Sequence, residues 1–170
     1  MMVEDTIDRL DRWLATNRPA YYALLQPSAT DAELDALEFK FSFKLPTAFR
    51  LLYRWRNGQD PMSSAPIQGN RSFCTLQEVA DAKELRDDLI GSDFDDPKYW
   101  RRGWVPFLHN GAGSYLCLDL AAEDGGTSGQ LIGFWRSEAD RPIEYTSVEA
   151  WLFVLVESME AGSLKLDSKN

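Results

Sequence analysis

Three short β-rich runs crowd the second half of the chain: WVPFLHN (Trp104 to Asn110), SYLCLDL (Ser114 to Leu120) and QLIGFWR (Gln130 to Arg136). The first two are separated only by Gly111-Ala112-Gly113, the second and third by the glycine-rich AAEDGGTSG (Ala121 to Gly129). A parallel pair needs a crossover of roughly a dozen residues or more, whereas antiparallel strands close through short turns. The spacing therefore predicts a largely antiparallel sheet with hairpin connections. Within SYLCLDL, alternation sets Tyr115, Cys117 and Asp119 on one face and Ser114, Leu116, Leu118 and Leu120 largely on the other.

Helices flank these runs. Ile7, Leu10 and Leu14 recur at helical spacing before Asn17 and Pro19, which predicts a helix over 5–16. Thr30-x-x-Glu33 is a capping box, with Leu34, Leu37 and Phe41 on one face behind it. A third helix is expected from Pro46 to the stop at Asn57-Gly58. Gln59 to Asn70 has loop composition, RSFCTL reads as a short strand, and Thr75-x-x-Glu78 caps another helix from about Leu76. After Ser147, Val148, Trp151, Leu152, Leu155, Val156 and Met159 form the clearest amphipathic stripe, ending at Gly162. Helices, then consecutive strands, then a helix give an α+β class: N-terminal helices packed with a largely antiparallel mixed sheet and a closing C-terminal amphipathic helix. One domain over 1–170 is expected, with a helical part at about 5–58, a strand-rich part at about 70–146, the closing helix at about 147–162 and a frayed tail at 163–170.

Charge and cysteine usage narrow the function classes. Eighteen Lys and Arg face 27 Asp and Glu, a formal charge of -9 that repels nucleic acid and anionic membranes and attracts a basic protein. The N-terminus lacks a basic region followed by an apolar run, and no apolar stretch reaches the roughly 18 residues of a membrane span, so a cytoplasmic protein is expected. Cys74 and Cys117, forty-three positions apart in apolar settings, are expected as reduced, buried thiols. His109 is the sole histidine, and no further ligands stand at diagnostic spacing, so no metal or other cofactor is expected.

The stretch LHNGAGSYLCLDL (Leu108 to Leu120) gathers His109, Cys117, Asp119 and a Gly-x-Gly. A phosphate cradle needs its glycines to lead into a helix N-terminus, whereas these lead into a strand and read as a turn. A Cys–His or Ser–His pairing with Cys117 or Ser114 lacks any nucleophile elbow, so no catalytic residue is assigned. Asp119 is expected to accept from backbone N–H groups of the loop that follows it. Two acidic loops, GSDFDDP (Asp93, Asp95, Asp96) and AAEDGG (Glu123, Asp124), are candidate docking surfaces for a basic partner, with Trp100 as an aromatic anchor. Trp55, Trp100 and Trp104 are open between core and binding groove, while Trp151 belongs to the core stripe.

Taken in order, KLPTAFRLLYRWRNGQ, WVPFLHNGAGSYLCLDL, GGTSGQLIGF and SVEAWLFVLVESMEAG resemble the signature blocks of the SUKH superfamily, the group of Smi/Knr-type cell-wall regulators and many bacterial proteins. The likeness runs from about Trp13 to Gly162 and marks Leu45, Pro46, Asn57, Gly58, Trp104, Pro106, Gly111, Gly113, Asp119 and Gly129 as structural signature positions. Ser42 departs from it, standing where relatives often carry glycine before the Leu-Pro. The resemblance implies an α+β domain that acts by binding rather than catalysis. Its first implication is an immunity protein of a polymorphic toxin system, neutralising a basic toxin domain, such as a nuclease, by direct contact. Its alternative is a Smi/Knr-like regulatory or scaffold adaptor linked to cell-wall synthesis.

Overall fold

The computed structural model describes residues 2–167. Four helices come first: α1 (Val3–Asn17), α2 (Pro19–Tyr22), α3 (Asp31–Phe41) and α4 (Thr47–Trp55). The sequence predicts three, and the short α2 is the addition. Arg18, at φ -134° and ψ 61°, breaks α1, and Pro19 then starts a new turn where its missing N–H is no loss. Pro46 itself stays extended, so α4 begins one residue later than expected.

Both capping boxes form. Thr30 accepts from the Glu33 amide at 3.1 Å while Glu33 accepts from the Thr30 amide at 3.1 Å, and Thr75 with Glu78 repeats the exchange at 3.1 and 2.9 Å ahead of α5 (Leu76–Asp88). Ser42 ends α3 at φ 55°, in the left-handed region, so the serine adopts the conformation that glycine there would favour.

The sheet is a five-stranded antiparallel meander in the order β1 (Ser72–Phe73), β2 (Trp104–His109), β3 (Tyr115–Asp119), β4 (Gln130–Phe134), β5 (Ile143–Tyr145). The edge strand β5 is an element that alternation did not flag, because three residues are too few to show a period. Pro106 sits inside β2 opposite Cys117, at a register shift between Pro106 and Leu108. The irregularity accommodates a residue without an N–H, and β1 pairs only with Leu108 and His109.

Each face of the sheet has its own core. Leu116, Leu118, Leu131, Val105 and Phe107 join the helices in the larger cluster, where the α6 (Val148–Glu160) stripe is buried. Cys117, Ile132, Phe134 and Trp104 point the other way and pack with Trp100. The chain between α5 and β2 packs over that second face, contributing Ile90, Phe94, Tyr99 and Trp100. Of the expected frayed tail, residues 163–167 make contacts: Gly69 donates to the Lys165 carbonyl and accepts from the Asp167 amide, both at 2.8 Å, and Leu164 packs on the larger core. The rest of the expected frayed tail, 168–170, lies outside the described residues.

Candidate functional site

The Leu108 to Leu120 stretch is a hairpin from β2 to β3 in which the candidate chemical groups lie apart. His109 pairs with Tyr115 across the ladder, whereas Cys117 lies opposite Pro106 and Asp119 opposite Trp104. His109 accepts the Gly111 amide on Nδ1 at 3.0 Å, and its Nε2 stands 3.8 Å from the Glu78 carboxylate. Cys117 is fully buried, which pushes its thiol far above the usual range and keeps it from the thiolate form that nucleophilic attack requires. Gly111 and Gly113 hold positive φ, and a Cβ on Gly113 would meet the Arg136 side chain at 3.0 Å. An open cleft of about 460 Å3 borders this hairpin, lined among others by Glu78, Arg86, His109 and Tyr115. Such a mixed-charge concavity can hold polar side chains; among the described residues, no three His, Cys, Asp or Glu side chains gather as a cation cage.

Asp119 is a cap. Its Oδ1 accepts the Ala122 amide at 3.0 Å and its Oδ2 accepts from Gln130 Nε2 at 2.9 Å, while its backbone carbonyl accepts the Gly129 amide at 2.8 Å. Gln130 returns to the loop, donating to the Gly125 carbonyl and accepting from the Thr127 amide. The carboxylate thus closes the 121–129 connection rather than facing solvent.

Other signature positions also hold the fold. Asn57 Oδ1 accepts the Leu76 amide at 2.8 Å, so the turn after α4 caps the start of α5, a role beyond the helix stop that its sequence context suggests. Gly58 has φ +70°, and a Cβ there would lie 2.5 Å from the Cys74 and Thr75 backbone. Leu45 is buried and its amide donates to Glu38 at 2.7 Å. Trp104 is buried in the second core.

The acidic loops divide. Asp93, Asp95 and Asp96 are exposed. Glu123 and Asp124 are held by Arg101, at 2.9 and 2.7 Å, and the guanidinium's hydrogen bonds keep the Asp124 carboxyl below the usual carboxylate range. Trp100, expected as a surface anchor, is a correction: it is 1% exposed, stacked edge-on against Trp104 and Phe134. Its indole N–H donates to Asp87 Oδ1 at 2.8 Å.

That contact belongs to a network the sequence reading missed. Lys83 is 1% exposed, donates to the Arg102 and Trp104 carbonyls and forms an ion pair with Asp87 at 3.1 Å. Burial lowers the Lys83 pKa, with Asp87 opposing the shift. The available signal was the Lys83-x-x-x-Asp87 spacing, which puts both groups on one side of α5, next to buried Val79 and Ala80.

The model of the SMI1 / KNR4 family (SUKH-1) matches residues 28–153. The cell wall biosynthesis/cell cycle regulator smi1 of Schizosaccharomyces pombe is 24% identical over 192 residues, covering 97% of this chain and 38% of that protein. KNR4/SMI1 homolog 2 of Debaryomyces hansenii is 31% identical over 101 residues, covering 59% of this chain and 15% of that protein. A glucan synthesis regulatory protein of Neurospora crassa is 21% identical over 214 residues, covering 97% and 40%. The chain therefore spans less than half the length of these relatives.

Proposed function

This chain belongs to the SMI1 / KNR4 family (SUKH-1), and from that membership we propose that it is a regulatory binding domain acting on cell-wall synthesis through contact with a protein partner. The observation that carries the reading is the agreement of the relatives: two of those described are named for regulating cell wall biosynthesis or glucan synthesis. The groups that a catalytic reading requires are engaged elsewhere. Asp119 closes a loop, Cys117 is sealed in a core and His109 caps its own turn. A binding domain works with the surface that such a rigid frame displays.

Neutralisation of a basic toxin domain is the second reading, and the charge of -9 favours it. The relatives' names speak for regulation, so the two expectations exchange rank.

Deletion of the gene in its host, followed by measurement of wall-polymer synthesis and sensitivity to wall-directed inhibitors, tests the proposal. A wall defect restored by the intact chain is the expected result. A deletion strain with normal wall synthesis refutes regulation. If that strain is also killed by a toxin domain against which the chain protects, the second reading takes its place.

A further inference from the structure

Helix α6 is apolar on more than the face it buries. Val148, Trp151, Leu152, Leu155, Val156 and Met159 point into the larger core, yet Phe153 and Val154 follow one another on the outside at 43% and 47% exposure. Two neighbouring apolar residues at that exposure, on a helix whose inner face is already apolar, make a small contact patch.

The surroundings indicate what covers it. Glu149, Phe153 and Glu157 recur every four residues, so one exposed stripe carries the phenyl ring between two carboxylates. Glu160 adds a third exposed carboxylate at the end of the same helix. Arg9 pairs with Glu157 and Glu160, and Arg12 acts on Glu160, yet the two glutamate side chains stay half-exposed. On its other side Val154 borders a groove of about 480 Å3 with Trp135 and Leu164, where the nearly buried Arg71 is matched by Glu144 at 2.8 Å. Lys165 and Asp167 stand together at its lining with opposite charges.

We propose that this α6 face is the docking surface of the regulatory domain, and that its occupant is a cationic amphipathic helix of a partner, inserting apolar side chains over Phe153 and Val154 and setting Lys or Arg against Glu149, Glu157 and Glu160. The proposal rests on the reading of the chain as a protein-binding domain. A second copy is the wrong occupant. A two-fold contact through this face would bring its acidic frame against itself, between molecules that each carry a charge of -9. The acidic loops are the weaker surface, because their expected anchor Trp100 is buried and leaves them without an apolar contact of the kind that Phe153 and Val154 supply on α6.

The test uses the full chain and a labelled synthetic 20-residue peptide with Leu and Lys at helical spacing. A scrambled peptide of the same composition and a Leu/Glu peptide are the controls, all titrated by fluorescence anisotropy. The helical Lys peptide is expected to bind at least about tenfold tighter than either control. Phe153→Ser with Val154→Ser is expected to weaken it about tenfold while the denaturation midpoint holds, as is Glu149→Lys. Asp93→Asn with Asp95→Asn and Asp96→Asn should change it less than twofold. Equal binding of the scrambled peptide, full affinity in the α6 variant, or loss in the loop variant would overturn the surface. So would a sedimenting dimer abolished by Phe153→Ser. The peptide titration reads the surface alone, whereas the deletion strain reads the regulatory function, so the two fail separately. Full rescue of a wall defect by the α6 variant would overturn the surface and leave the regulatory reading standing.

Discussion

The two faces of the sheet are closed by different materials. On one, helices lay apolar side chains on Leu116, Leu118 and Leu131, and each helix satisfies its own backbone. On the other, the segment between α5 and β2 lies over Cys117, Ile132 and Phe134, and its carbonyls lack a ladder. Charged side chains take that place. Within the segment, Lys83 donates to the Arg102 carbonyl and Arg141 to that of Tyr99; Lys83 reaches on to the Trp104 carbonyl in β2, and Arg141 to those of Trp135, Glu138 and Asp140 in the β4–β5 connection. The same two cations rest on aromatic rings, Lys83 5.2 Å from Phe41 and Arg141 4.4 Å from Phe134. A loop can cover a sheet, then, where buried cations with apolar stems answer its backbone.

The largest expected effect strikes the helix-closed side. Gly58→Ala forces a side chain into the left-handed region and against the Cys74 backbone. Strain and overpacking together should cost about 4 kcal/mol in a denaturant titration. A loss below about 1 kcal/mol would mean that the α4–α5 junction yields easily.

Asp87→Ala attacks the loop-closed side by stranding the Lys83 cation, with an expected loss of about 3 kcal/mol. The double variant Lys83→Met, Asp87→Leu should recover part of it. Recovery would mean that the cost lay in the stranded charge, while no recovery would move it to the carbonyl contacts of Lys83 and the Trp100 indole N–H that Asp87 accepts.

Asp119→Ala removes the acceptor for the Ala122 amide and for Gln130, at an expected cost of about 2 kcal/mol. An unchanged midpoint contradicts the capping role.

The smallest effect is at Asp124. Arg101 depresses its folded pKa, so the ion pair contributes fully above the unfolded value of 3.8 and is lost as pH falls through the lower folded value. Asp124→Asn should leave the midpoint within about 0.5 kcal/mol. Protection factors of the 121–126 amides, taken relative to intrinsic exchange at each pH, should fall in the variant at neutral pH, and in the wild type only in acid.

Much of the architecture was legible because its signals are local. A threonine three residues before a glutamate at a helix start engages its own amides, and both capping boxes formed as read. Strand alternation separated Cys117 from Leu116 and Leu118 with no knowledge of what covers either face. Asp119 could be read as a cap because its main-chain partners lie within a few residues. Trp100 could not be placed, since its burial depends on Asp87 and Phe134, distant in sequence. Asn57 likewise hides its second task, because the amide it satisfies lies nineteen residues away.

By itself the sequence determined the α+β class, the antiparallel sheet, the caps and the family blocks, since each depends on spacing along the chain. The tertiary structure alone decided which face each tryptophan occupies, that the chain between α5 and β2 packs over the second core, that Lys83 is buried, and that α6 leaves Phe153 and Val154 outside beside its carboxylates. Those outcomes depend on burial and on partners remote in sequence, which are fixed only when the elements pack.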